Sequence, residues 1–199
     1  MSVMAFSQMM GNLQNVESNL ELARTKYSAE GASRVGGSVA MTGAAINSFT
    51  LSTIWESADA CFAARSKVLA DSEMRAAITA SDAQPLGFMI GDLKTEIGSC
   101  EGAFAVAVGA TTTVHTDDAI EAVAGHYQRL FVANGVNGVR TIRLNAAGEF
   151  TGAYANIFYT DTLDAYFAGS AAAWADGDFL ATSVDIDANI VDRTISRMI

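Results

Sequence analysis

Proline occurs once in these 199 residues, and cysteine and histidine occur twice each. Each scarcity excludes something. With one proline, half of its residues apolar and no biased tract, the chain is expected to be ordered nearly end to end, because burial can offset the entropy of fixing the backbone. Cys61 falls in a predicted helix and Cys100 between predicted strands. They suggest neither a disulfide framework nor a thiolate metal site, and read as small packing groups. His115 and His126 would have to converge to form a two-imidazole metal centre, and their spacing from a strand end into a helix does not favour it. No metal is expected.

Positive charge is also short. Twelve Lys and Arg against 22 Asp and Glu leave a net charge of −10, and no basic cluster overrides that average. Attachment to a nucleic-acid backbone or an anionic bilayer is therefore disfavoured, and the acidity is read as keeping an alanine-rich chain soluble. No segment approaches the roughly 20 apolar residues of a membrane span, and residues 1–10 lack the basic start of a secretory signal. The expectation is a cytoplasmic protein with no membrane and no nucleic-acid partner. A small apolar ligand and a homodimer stay open. The glycine-bearing stretches 31–37 and 135–138 follow predicted helices rather than precede them, which presents the wrong helix end to a phosphate, and no cofactor is expected.

What the chain does contain is an internal correspondence. A shift of 105 positions lays Gly43 on Gly148, Asp59 on Asp164, Phe62 on Phe167 and Asp71 on Asp176 without a gap. Similar pairs extend the register: Phe49 with Tyr154, Ser57 with Thr162, Leu69 with Trp174 and Met74 with Phe179. Ser57 and Thr162 stand where helix N-caps belong, with Asp59 and Asp164 in the first turn, where a carboxylate favours the positive end of the helix dipole. Phe62 and Phe167 are then expected to begin the buried stripe.

Hydrophobic periodicity gives the same element order twice. The first copy reads as a strand over 3–9, a helix carrying Leu13, Val16, Leu20 and Tyr27 up to Gly31, a hairpin of strands 38–41 and 49–55, a helix from 58 to about 78 and a strand over 86–93. A short polar link over 95–101 follows. The second copy reads as a strand over 104–113, a helix capped by Thr116 and stopped at Asn134 and Gly135, a hairpin of 140–145 and 154–159, a helix over 163–175 and a last strand over 184–192. Asp185 and Asp187 are placed on that last strand, as edge charges that deter aggregation.

Each copy is thus a βαββαβ unit, with both helices on one face of an antiparallel sheet. In 104–109 both alternating sets of side chains are uncharged, and 49–55 carries no charge on either side, so the second sheet face also needs cover. The fold class expected is α+β: two tandem ferredoxin-like repeats, residues 1–97 and 98–199, with their antiparallel sheets packed face to face as one compact barrel. In this element order the chain resembles the dimeric α+β barrel superfamily. Antibiotic-biosynthesis monooxygenases, stress-responsive barrel proteins, NIPSNAP-like proteins and haem-binding chlorite dismutases share that outline. No residue pattern of these families carries over position by position.

The candidate pocket residues are His115, His126, Asn156, Tyr159 and Trp55. His115 precedes an N-cap at a central strand's end, where members of this superfamily often open a pocket, and a histidine there could serve as a general base. His126 borders the inner face of its helix and is the one helical candidate for an axial haem ligand. Asn156 lies between Tyr154 and Phe158 on one face of a strand and needs partners or a wet cavity. Tyr159 faces the other way, and Trp55 ends the equivalent strand of the first copy. The leading expectation is a non-catalytic small-molecule-binding or structural barrel. The alternative is a cofactor-independent monooxygenase, isomerase or cyclase acting on an aromatic or polyketide-like substrate. Haem binding ranks third.

Overall fold

The structure, a computed structural model, describes residues 2–199. Its first half runs β1 (Val3–Met10), α1 (Val16–Ala29), β2 (Arg34–Ala40), β3 (Phe49–Trp55), α2 (Ala58–Ala70), α3 (Ser72–Ala80) and β4 (Gln84–Gly98). The second runs β5 (Phe104–Thr111), α4 (Asp117–Leu130), β6 (Gly138–Ala146), β7 (Tyr154–Thr160), α5 (Leu163–Ala175), α6 (Gly177–Asp185) and β8 (Asn189–Met198). The expected βαββαβ order holds in both, with each second helix broken in two.

The break has one cause in both halves. Asp71 leaves the helical conformation and caps α3, accepting from the backbone N–H groups of Glu73 and Met74, both at 3.0 Å. Asp176 caps α6 through the Phe179 N–H at 2.8 Å. Each also reaches back to the first helix of its half: Asp71 to Lys26, and Asp176 to Arg129 through two bonds of 2.6 and 2.9 Å. Ser57 and Thr162 cap α2 and α5 as expected, accepting from Ala60 and Ala165 N–H at 3.1 and 3.4 Å.

All strand pairs are antiparallel, and the strands close into a barrel in the order β1-β3-β2-β8-β5-β7-β6-β4. Each half contributes the same internal order, and the halves join where β2 meets β8 and β4 meets β6. The expected sheet-to-sheet packing is therefore completed at the edges, which leaves no open strand. The second seam corrects the reading of 95–101 as a polar link. β4 runs on to Gly98, pairing with β1 along its first part and with β6 from Ile90 to Gly98. Lys94, Thr95 and Glu96 looked loop-like only because the strand they pair with lies in the other half.

Side-chain alternation divides the apolar residues into three regions. Met4, Phe6, Ile54, Ile142, Leu144, Ile157 and Tyr159 fill the barrel interior. Val3, Ala5, Leu51 and Trp55 face α1–α3, packing with Leu20, Tyr27, Cys61, Val68 and Met74. Val106, Val108, Val139 and Phe158 face α4–α6, packing with Tyr127, Phe131 and Tyr166. Phe62 and Phe167 do not begin the buried stripes. They are 48% and 46% exposed, while their preceding neighbours Cys61 and Tyr166 are buried. In alanine-rich helices nearly every face is apolar, so one residue of rotation costs little sequence contrast.

The last strand is also corrected. Residues 177–185 are α6, and β8 begins only at Asn189, so Asp185 ends a helix and Asp187 sits in the turn with a left-handed φ of 53°. No helix among the described residues is long and apolar enough to cross a membrane.

Candidate functional site

Between the outer face of the second half's sheet and its three helices lies a cavity of about 770 Å³. Its floor is made by Val108, Thr141, Tyr154, Asn156, Phe158 and Arg193; its walls include Ile120, Val123, Tyr127, Phe131, Tyr166, Trp174 and Phe179. Small residues keep the space open where the helices come down on the sheet: Ala119 on α4, Ser170 and Ala173 on α5, and Ser183 on α6. In the first half the layer between sheet and helices holds a packed cluster that includes Leu51, Phe49 and Trp55, the last meeting Tyr27 edge-on at 6.0 Å.

The helices over the cavity are tied together by the Arg129–Asp176 pair, which joins α4 to the start of α6. The guanidinium, followed by the Phe179 N–H, holds the Asp176 carboxyl well below the usual carboxylate range. A depressed folded-state pKa contributes stability that is present above the unfolded value near about 4 and lost as pH falls toward the folded one. Asp176→Asn should therefore flatten the acid dependence of stability. Between about pH 4 and pH 2 the melting temperature of the wild type, followed by circular dichroism, should fall more steeply than that of the variant. Parallel slopes would show that this pair contributes nothing.

Asn156 is buried on the floor. Its side-chain oxygen accepts from the Thr141 hydroxyl at 3.0 Å, across the β6–β7 pair. That bond fixes which way round the amide lies, since a hydroxyl proton needs the oxygen. Nδ2, which has no partner among the described residues, is left as a donor. Two positions along the same strand face, Tyr154 also lines the cavity. Burial pushes its phenol pKa up, opposed by Arg143, and its oxygen lies 3.4 Å from His115 Nδ1, with the two rings stacked at 5.9 Å.

The five sequence candidates therefore separate. Asn156 is on the cavity floor. His115 is exposed and lines an adjoining hollow of about 390 Å³ with Glu149 and Phe150, in contact with the cavity only through Tyr154 and the shared Thr111 and Thr112. His126 points at α6: Arg129 donates to its Nδ1 at 3.0 Å, so its Nε2 carries the proton and donates to Thr182 Oγ1 at 2.9 Å. Tyr159 faces the barrel interior, where it accepts from Arg140 Nη1 at 3.1 Å. Trp55 lies in the first half, donating to Thr53 at 2.8 Å. Sequence reasoning missed Thr141, whose pairing with Asn156 depends on register, and Arg193, which lies one residue beyond the strand end read from periodicity.

Haem does not fit this donor set. No histidine, cysteine or methionine lines the cavity. Both nitrogens of His126 are engaged elsewhere. The phenols that do line it, Tyr127, Tyr154 and Tyr166, are pushed by burial away from the phenolate that iron requires. Among the described residues no three His, Cys, Asp or Glu side chains group as a metal site.

No family model and no curated sequence matches the chain. Solved structures do. A provisionally assigned monooxygenase from Lactobacillus acidophilus NCFM is 10% identical, with a TM-score of 0.60 over 100% of this chain and 93% of that one. A variant of chlorite dismutase from Candidatus Nitrospira defluvii is 10% identical, with a TM-score of 0.64 over 100% and 91%. A provisionally assigned monooxygenase from Fusobacterium nucleatum is 12% identical, with a TM-score of 0.52 over 99% and 91%. The chain shares the fold of these structures, an α+β barrel of two ferredoxin-like halves. These neighbours, assigned as enzymes, overturn the leading expectation of a non-catalytic binding or structural barrel.

Proposed function

We propose that this chain is an enzyme, a cofactor-independent monooxygenase acting on an aromatic, polyketide-like molecule held in the second-half cavity. Residues 98–199 supply the site, and residues 1–97 brace it from across the barrel. One observation carries the reading: an aromatic-walled cavity has an amide donor and a phenol set two residues apart on one strand face of its floor, a separation of about 7 Å.

Those groups suit oxygenation of an activated methylene, as in an anthrone, where the substrate itself is the reductant. As the carbon acid ionises, the neutral Tyr154 hydroxyl accepts its proton while passing its own to His115 Nδ1, 3.4 Å away, and from there to solvent, so that no free phenolate is required. The Asn156 Nδ2–H donates to the enolate or phenolate oxygen that develops, in a site walled by aromatic rings. The anion passes one electron to dioxygen, and the resulting radical and superoxide combine to form a C–O bond. The hydroperoxide then loses water, so that CH₂ and O₂ become C=O and H₂O with no external reductant.

An oxygen electrode tests this with the chelator-treated protein and a panel of anthrones, above the rate of the buffer alone. Uptake of one O₂ per substrate is expected. Asn156→Leu and Tyr154→Phe should each slow turnover at least tenfold, the order of effect of losing one oxyanion donor or proton acceptor. No uptake above background, or variants as fast as the wild type, would overturn the proposal.

A further inference from the structure

We infer that the cavity selects an anionic polycyclic aromatic, its carboxylate bound by Arg193 and its reacting oxygen by Asn156. The choice of reacting end rests on the function proposed above; the carboxylate preference does not.

The strand register places these two side chains on one line. Thr141 is opposite Asn156 across β6–β7, Asn156 is opposite Val108 across β7–β5, and Val108 is opposite Arg193 across β5–β8. Residues paired in register share a sheet face, so the line runs across the cavity floor. Asn156 and Arg193 are two strand spacings apart, about 9.5 Å, with only the apolar Val108 between them. That interval suits three fused six-membered rings with a polar group at each end. Phe158 on the floor and Phe131, Tyr166 and Phe179 on the walls supply ring contacts along it.

Arg193 is available for this task. It is exposed at the cavity's edge and is the one arginine on the lining, and it has no carboxylate within 4.0 Å among the described residues. Its guanidinium lies 5.9 Å from the centre of the Tyr166 ring, one of the cavity walls. In a chain with ten more acidic than basic side chains, an unpaired arginine lining an apolar cavity is a ready counter-ion. Asp187, the carboxylate on the same lining, does not cancel it. Asp187 sits in the turn before Asn189, and from Asn189 to Arg193 the strand advances about 10 Å, three partner positions on β5 because Val191 is bulged. An arginine fork meets a carboxylate through two charge-assisted bonds. The same acid in this cavity without that partner would be penalised for leaving water.

Trp174 lines the cavity, whereas Trp55 is buried in the first half, so ligand binding can be followed as quenching of tryptophan fluorescence. Three probes are titrated: anthraquinone-2-carboxylate, the neutral anthraquinone-2-carboxamide and the shorter naphthalene-2-carboxylate. The carboxylate should bind at least tenfold more tightly than the carboxamide, and the naphthoate more weakly than the anthraquinone acid. Arg193→Gln should bring acid and amide within twofold of each other, chiefly by weakening the acid. Arg193→Lys should restore part of the preference, which separates charge recognition from a general disturbance of the fold. Equal affinity for acid and amide in the wild type, a preference that survives Arg193→Gln, or no binding by any probe would overturn the inference. Preference for the acid with no oxygen uptake on anthrones leaves Arg193 recognition standing and removes the oxygenase reading; uptake without the preference does the reverse.

Discussion

Gly91→Val should abolish folding, and Gly87→Val, four residues earlier on the same strand, should not. Gly91 is buried where β4 passes from its pairing with β1 to its pairing with β6, beside an irregularity in the β4–β6 register. A Cβ on Gly91 would be driven into the backbone carbonyl of Arg143 and to 2.8 Å from Ile142 Cγ2. Backbone cannot yield as a flexible side chain does, so the strands must part. That would open the seam that joins the two halves and expose Ile142 and Leu144 from the barrel interior. Overpacking of this kind typically costs about 1–3 kcal/mol, and here it would be joined by the lost ladder bonds of a closing strand pair. At Gly87 an added Cβ meets nothing within 4 Å, and a β-branched residue suits the strand. Soluble yield and urea denaturation of the two variants, side by side, measure the contrast. A folded, stable Gly91→Val protein would show that β4 and β6 can separate there without loss of the barrel.

Much of this architecture is legible without coordinates, because it is written in features that are local or strictly periodic. Ser57 and Thr162 mark helix starts by side-chain chemistry that works over three residues, whereas Asp71 and Asp176, matched in the repeat, are not legible as the caps that break each second helix. The alternation sets Tyr154, Asn156 and Phe158 on one strand face and Tyr159 on the other, but it does not say which face fronts the cavity, and Tyr159, a pocket candidate by sequence, lies in the barrel interior. What could not be read depends on distant partners or on ambiguous periods. Val184 and Ile186 alternating with two aspartates imitate a strand. The segment is instead the end of α6, and that error stopped the last strand at Asp192 and hid Arg193. The cavity itself has no signature, since it arises from how three separate helices stand over one sheet. Nor can sequence alone show that both nitrogens of His126 are engaged by Arg129 and Thr182, which removes it from ligand chemistry.

The barrel interior yields the other large effect, and its sign is counterintuitive. Arg140 is 3% exposed, with Nε bonded to Glu96 at 2.5 Å and Nη1 to the Tyr159 phenol at 3.1 Å, while Nη2 is buried with no partner. The phenol is therefore part of a polar plug bridging β4, β6 and β7. Glu96 is 44% exposed on its side chain, so the two charges are unequally placed: the carboxylate can hydrate, and the guanidinium cannot. Removing the anion by Glu96→Ala strands a buried cation that already lacks one bond, and should destabilise the fold by about 3 kcal/mol. Adding Arg140→Met and Tyr159→Phe removes the stranded charge and both hydrogen-bonding groups together, a replacement that can be nearly neutral when the volume is filled. The triple variant should therefore be more stable than Glu96→Ala alone, a strong departure from additivity among touching residues. Urea denaturation midpoints at constant slope give the comparison. If the triple variant is instead the least stable, the plug contributes through packing and hydrogen bonds rather than through the charge it buries.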